Sequence, residues 1–272
     1  MSISKVCLIA DAGEMLGKEV GILLSKQGTK LVLNFENESK IDKDYLNRLD
    51  AINAAYKVTV SDLKSFDAAK SVLEQIKDDS VFGHLDAMFY NVTPAVRRQS
   101  VSEMPREMLE ELINDYILKA YSATKVFGDY MGELGGGTII YRSSVNADKP
   151  TGIAGFNAMY YAAIKNLNRE AALFYGYFNI KTIALEFGAF AKEDEEYHND
   201  ISTFYDGYDV KIPSGYVGKP EDFASLISYL ISDECNSING AEIRVDNGLL
   251  FQYIEPVMNI KIHERLRREG KE

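Results

Sequence analysis

The sequence predicts an α/β fold: a doubly wound parallel sheet with helices on both faces. Three observations predict it. Short, uninterrupted apolar runs recur along the chain, as in strands buried on both faces. Longer segments with apolar residues at helical spacing lie between them. The two kinds alternate throughout, which makes right-handed βαβ units and a parallel sheet.

Val6–Ala10 is the first apolar run, closed by Asp11-Ala12-Gly13. Met15–Lys26 follows with Leu16, Val20, Leu23 and Leu24 at helical spacing, and Gly28 is its expected stop. Leu31–Leu33 reads as a strand, Tyr45–Ala55 as a helix and Lys57–Val60 as a strand. Phe66–Ile76 carries one apolar stripe, and Leu85–Tyr90 is the fourth strand. A long helical stretch runs from Pro105 to Leu134 and breaks at Gly135-Gly136-Gly137. Thr138–Tyr141 (strand), Met159–Tyr175 (helix) and Ile180–Leu185 (strand) come next. Pro220 opens a helix, as its fixed φ suits, and Ala241–Val245 is the last strand. No linker, repeat or low-complexity tract divides this pattern. Residues 1–272 are therefore expected to form one domain, with an insertion at 189–216 whose core, Lys192–Gly215, is acidic and rich in tyrosine. Long insertions near strand ends are where substrate loops lie.

Composition narrows the function. The chain has 272 residues, 26% charged, with a net charge of −11. That excess disfavours nucleic acid and anionic membrane surfaces, which both need basic patches. No run reaches the roughly 18 apolar residues of a membrane span. Met1–Ala10 is too short for a signal peptide, so a cytoplasmic location is expected. Cys7 and Cys235 sit in apolar patterns and read as buried free thiols, and three scattered histidines (His84, His198, His263) make no zinc pattern.

In a doubly wound sheet the ligand crevice lies beyond the carboxyl ends of the strands. Three segments there carry chemistry. Tyr161 and Lys165 are four residues apart, on one face of a helix. An ammonium beside a phenol favours the phenolate, which makes the pair a plausible general acid/base. Tyr160 is the alternative base, although it breaks that spacing. Ser143-Ser144 follow the strand Thr138–Tyr141, where a hydroxyl could bind a substrate oxygen. The first strand-to-helix turn holds Gly13 and Gly17, glycines of the kind that let a backbone approach a pyrophosphate.

Their order resembles the short-chain dehydrogenase/reductase family over almost the whole chain, and this resemblance implies a Rossmann-like fold. Gly218-Lys219-Pro220-Glu221-Asp222, Asn239-Gly240 and Val245-Asp246-Asn247-Gly248 are similar to further family motifs. The resemblance implies an NAD- or NADP-dependent oxidoreductase that interconverts a secondary alcohol and a ketone, as a homodimer or homotetramer. It makes Tyr161 the acid/base, Lys165 the group that lowers the tyrosine pKa and holds the nicotinamide ribose, and Ser144 (or Ser143) the group that positions the substrate oxygen. It places the dinucleotide on Asp11, Gly13, Leu16, Gly17, Glu36, Thr59, Val60, Asn91, Lys165 and Gly188. No metal is implied.

The sequence also departs from the family pattern. Asp11 and Met15 stand where glycines are usual, Thr59 replaces an Asp, and Tyr90-Asn91-Val92-Thr93 keeps only Asn91 of Asn-Asn-Ala-Gly. Tyr116 takes the place of the usual catalytic Asn, and Glu186-Phe187-Gly188 that of Pro-Gly. These changes support an alternative reading, a non-catalytic binding or structural protein that has lost normal dinucleotide binding. Glu14 and Glu36 on the adenine side favour NAD over NADP by repelling a 2′-phosphate. Tyr90, Tyr116, Tyr141, Phe156, Tyr160, Phe187 and Phe190 are expected to line a mostly apolar pocket suited to a flat hydrophobic substrate such as a steroid.

Overall fold

The computed structural model describes residues 5–189, 212–214, 218–251, 264–265 and 267–270. Seven strands form one parallel sheet: β1 (Val6–Ala10), β2 (Lys30–Phe35), β3 (Tyr56–Val60), β4 (Ala87–Tyr90), β5 (Gly137–Ser144), β6 (Ile180–Phe187) and β7 (Ala241–Val245). Their order is β3-β2-β1-β4-β5-β6-β7. The helices are α1 (Met15–Lys26), α2 (Lys43–Ala51), α3 (Phe66–Lys77), α4 (Arg106–Glu111), α5 (Leu118–Glu133), α6 (Gly155–Tyr175) and α7 (Pro220–Ile231). The expected α/β doubly wound sheet is the one found.

The strands read as continuous apolar runs because both faces are covered. Val6, Leu8 and Ala10 of β1 face a core shared with α3, α5 and α6, including Val72, Phe127 and Ile164. Cys7 and Ile9 face a second core shared with α1, α2 and α7, including Val20, Leu49 and Ile227. Cys7 and Cys235 are buried free thiols, as expected, and burial pushes the Cys7 thiol up to about 12. Among the described residues, no helix is long and apolar enough to cross a membrane.

Element ends differ from the sequence reading for local reasons. The second helix starts at Lys43 because the Asp42 side chain accepts from the Tyr45 N–H, and it ends at Ala51, just before left-handed Asn53 at φ 53°. The stretch Pro105–Leu134 is interrupted by a π-helical segment, Leu112–Ile117, between α4 and α5. The fifth strand runs on to Ser144, so both serines belong to its end. Most of the 189–216 insertion lies outside the described residues.

Strand order reverses between β1 and β4, and this switch point opens the crevice. The approach of α2 to α1 depends on Gly21. A Cβ there would lie 2.0 Å from the Tyr45 hydroxyl, and Tyr45 is fully buried with its hydroxyl lacking a hydrogen-bond partner. Gly21→Ala is expected to lower stability by about 1–3 kcal/mol through overpacking. Tyr45→Phe removes a buried, unpaired hydroxyl and is expected to be neutral or stabilising. Thermal unfolding of both variants checks the pair, and the opposite order of melting temperatures would contradict this packing.

Candidate active site

A cleft of about 1120 Å³ lies over the carboxyl ends of β1, β2, β4, β5 and β6. Its floor starts at the first turn. Asp11 has φ 59°, a left-handed backbone for which glycine is the natural residue and which Asp tolerates better than most. Asp11, Glu14, Met15 and Leu16 line the cleft. Gly13 and Gly17 shape the turn from beneath. A Cβ on Gly13 would meet the Lys40 carbonyl at 2.8 Å, and one on Gly17 the Asn91 amide nitrogen at 2.8 Å. Asn91 is fully buried; its amide donates to the Asp11 carbonyl (3.0 Å) and accepts from Arg142 (3.2 Å). It therefore ties the ends of β1, β4 and β5 together below the cleft.

Asp11 carries the largest electrostatic burden of the turn. Burial, reinforced by nearby Glu14, pushes its carboxyl up to about 6, against the opposing pull of Lys119, Lys40 and Arg142. All three cations line the same cleft. Lys119 is buried and pairs with Asp62 at 2.7 Å, with Glu36 at 3.9 Å. Burial raises the Asp62 carboxyl, but its hydrogen bonds and attraction to Lys119 and Lys64 outweigh this and hold it below its usual range.

At the other end of the cleft, Tyr161 projects from α6. Its hydroxyl lies 2.5 Å from the Thr93 hydroxyl, and both residues line the cleft. Ser143 is buried and donates to the Tyr161 carbonyl at 3.4 Å. Ser144 accepts from the Asn146 N–H at 3.2 Å, and it too lines the cleft. Tyr160, the alternative base, is fully buried and donates to the Val92 carbonyl at 2.7 Å; burial, first, holds its phenol well above the ordinary value.

Lys165 is placed differently from the expectation. Its Nζ is 2.7 Å from both Asp148 oxygens, 2.5 Å from Glu186 and 3.1 Å from Glu242. Glu186 and Glu242 share one sheet face because β6 and β7 pair Ala184 with Glu242 and Glu186 with Arg244. Burial opposes the ammonium, but the bonds to Asp148, Glu186 and Glu242 outweigh it and hold the Lys165 pKa above its usual value. The side chain does not line the cleft. The Lys165 ammonium is held by carboxylates between α6 and the sheet.

Other expectations divide in the same way. Asp11, Leu16, Glu36, Gly188, Ser144 and Tyr161 come together around one cleft. Thr59 is buried and accepts from the Asn34 amide, and neither it nor Val60 lines the cleft; Ser61, Asp62 and Leu63 take that wall. The apolar aromatic pocket is also corrected. Tyr90, Tyr141, Phe156 and Tyr160 are fully buried core residues, while Tyr116 and Phe187 reach the cleft. Phe190 lies outside the described residues. Sequence reasoning missed Arg142, Lys119 and the carboxylates around Lys165. A charged residue inside an apolar strand, as Arg142 and Glu186 are, was the signal available for two of them.

Comparison with known proteins agrees with this architecture. A family model described as enoyl-(acyl carrier protein) reductase matches residues 12–250. The cyclohexanol dehydrogenase of an Acinetobacter species is 27% identical over 252 residues, covering 89% of this chain and 94% of that one. An L-rhamnose 1-dehydrogenase (NAD(P)(+)) of Azotobacter vinelandii is 24% identical over 258 residues, covering 91% and 97%. The crystal structure of a 3-ketoacyl-(acyl-carrier-protein) reductase from Brucella melitensis, complexed with NADH, superposes with a TM-score of 0.78 at 20% identity, covering 90% of this chain and 98% of that one. The family match spans most of the chain, and the strand order and the tyrosine helix at the strand ends accord with it: the chain belongs to the short-chain dehydrogenase/reductase family of oxidoreductases.

Proposed function

We propose that this protein interconverts a secondary alcohol and a ketone, with Tyr161 as the acid/base and a nicotinamide dinucleotide, NAD in preference to NADP, as its partner. The observation that carries the reading is that Tyr161 lines the same cleft as Ser144 at the end of β5. Tyr161 gives a proton to a carbonyl oxygen or takes one from a hydroxyl. Ser144, which accepts a backbone N–H, keeps its own hydrogen for the substrate oxygen. The cleft wall combines polar side chains, Thr93, Ser143, Asn157 and Lys149, with apolar ones, Val92, Val145, Ile153 and Leu250, which supports a substrate with both a polar and an apolar part.

The residues fit a dinucleotide, at a cost. The N-terminus of α1 faces the cleft through Met15 and Leu16, and Glu14 makes no side-chain cap there. Its first N–H groups would hold the pyrophosphate. Gly188 borders the nicotinamide side, and Glu36, Lys40 and Asp62 the adenine side. When bound, the dinucleotide supplies or accepts the hydride. Asp11 opposes the phosphates unless it is protonated, and Arg142, Lys40 and Lys119 offset part of that repulsion.

Each part of this reading has an expected outcome. Tyr161→Phe removes one hydroxyl, so it should keep the melting temperature while turnover of secondary alcohols, with cyclohexanol and L-rhamnose as first probes, falls by about 10²-fold or more. Tyr160→Phe should keep turnover and lose about 1 kcal/mol of stability; full activity in Tyr161→Phe would end the reading.

Calorimetry should find NAD(H) bound more tightly than NADP(H), with the gap narrowed in Glu36→Arg by a new phosphate contact. Binding should also tighten as pH falls toward about 6, the value to which burial pushes Asp11, and Asp11→Asn should remove that slope. The folded carboxyl titrates above the unfolded one, at 3.8. The ionised form therefore costs stability above pH 6, and the cost fades as pH falls toward 4. Asp11→Asn should accordingly stabilise the fold by about 1–2 kcal/mol at pH 8, after allowance for solvent screening, and by nothing below pH 4. A pH-independent affinity in the parent protein would contradict this account of the turn.

The pairing surfaces are Ile113, Leu118 and Tyr121 along the α4–α5 stretch and Leu173 and Phe174 at the end of α6, all exposed apolar side chains. Light scattering should give a dimer or tetramer mass that falls in a Leu118→Glu, Tyr121→Glu double variant; a monomer at every concentration would overturn the assembly.

A further inference from the structure

We infer that Thr93 is a positioning and proton-relay residue for Tyr161: its hydroxyl carries the proton between the phenol and the water of the cleft. The inference rests on the acid/base reading of Tyr161 and adds to it the route by which that proton arrives.

A phenol that donates to a substrate oxygen must be reprotonated, and Tyr161 is itself buried. Lys165, one helical turn along, is surrounded by Asp148, Glu186 and Glu242 and stands outside the cleft lining. The group that does touch the phenol is Thr93, at 2.5 Å. Thr93 is half-buried and lines the cleft, so its far side meets solvent. A hydroxyl can donate to one neighbour while accepting from another, which is what a relay requires.

The placement of Thr93 is fixed from α6 at three successive points. Tyr160 donates to the Val92 carbonyl at 2.7 Å. The buried Asn157 amide donates to the Pro94 and Ala95 carbonyls at 3.1 and 3.2 Å and accepts from the Arg97 N–H at 3.1 Å. Tyr161 lies between these anchors in its bond to Thr93. The loop that carries the threonine is thus tied to the helix that carries the tyrosine, on both sides of the contact. That is the support a hydroxyl needs to be held to a reacting atom within a few tenths of an ångström.

The step balances. As the Tyr161 O–H bond breaks and the substrate O–H forms, the Thr93 proton passes to the phenolate oxygen, and Thr93 takes a proton from a cleft water in the same concerted movement. The net transfer is one proton from water to the substrate oxygen. Alcohol oxidation runs the chain in reverse.

Thr93→Val keeps shape and removes the hydroxyl; Thr93→Ser keeps the hydroxyl and removes the methyl. With equal melting temperatures, Thr93→Val is expected to lower kcat by about 10- to 100-fold, less than Tyr161→Phe, with KM within about twofold. Thr93→Ser should recover kcat to within about threefold of the parent. A proton inventory should change from three protons in flight in the parent to one in Thr93→Val.

A readout without turnover uses the free protein labelled with ζ-carbon-13 tyrosine, the Tyr161 signal being assigned by its loss in Tyr161→Phe. That signal should shift in Thr93→Val and stay in Thr93→Ser. An unmoved signal in Thr93→Val, or full kcat in Thr93→Val while Tyr161→Phe is inactive, overturns the relay and leaves the acid/base reading standing. Full activity in Tyr161→Phe overturns both.

Discussion

The ion cluster around Lys165 fixes the tyrosine helix on the sheet. α6 lies against β5 and β6, and at this point its only long cation inside the fold meets carboxylates from three other segments: Asp148 after β5, Glu186 on β6 and Glu242 on β7. Arg169 and Arg244 complete the group by pairing with Glu242 and Glu186. A buried ion group adds little net stability over apolar residues of the same size, but losing one partner strands a charge at a cost of about 3–5 kcal/mol. Its effect is placement. Tyr161 is one turn away on the same helix face, so the anchor at Lys165 determines where the phenol emerges at the strand ends.

The cleft around that phenol is built on compensation. Asp11 brings a carboxylate to a turn that serves anions best when it is bare backbone. Arg142, in a strand position that would otherwise be apolar, puts a guanidinium below the same turn and bonds Asn91, which in turn holds the Asp11 carbonyl. Lys119 answers Asp62 and Glu36 across the adenine side. Asp11 and Glu36 each have a cation near them, and the Asp11 carboxyl, raised by burial to about 6, takes up a proton only as pH falls below the ordinary range.

Much of this was legible in the sequence, for physical reasons that also mark where legibility ends. Parallel strands covered on both faces appear as unbroken apolar runs, so Val6–Ala10 could be read directly and Leu85–Tyr90 with only its start displaced, to Ala87. The same property hides which way a strand residue points. Tyr90 and Tyr141 end strands, as pocket aromatics do, yet both face the α5–α6 core, where their rings pack edge to face at 6.2 Å. Helical spacing placed Tyr161 and Lys165 on one face, and they are on one face. Spacing could not show that carboxylates 17, 21 and 77 residues away would take the ammonium. The π-helical segment at Leu112–Ile117 has no sequence signature of its own, and it is where Tyr116 enters the cleft.

Affinity and chemistry need not have drifted together. On the proposed reading, Asp11 and Glu14 act on the phosphates, remote from the reacting carbon, and their repulsion is present in the ground state and the transition state alike. Such uniform effects change how much dinucleotide is bound and leave the bound complex's rate alone. On the same proposed reading, Tyr161, Ser144 and Thr93 act where charge develops, so changes among them would appear in kcat. The first turn has diverged in its residues while the tyrosine end keeps a phenol, a serine and a hydroxyl partner in contact with the cleft. A weak dinucleotide affinity in this protein would thus be evidence about its turn, and only turnover at saturating dinucleotide would be evidence about its chemistry.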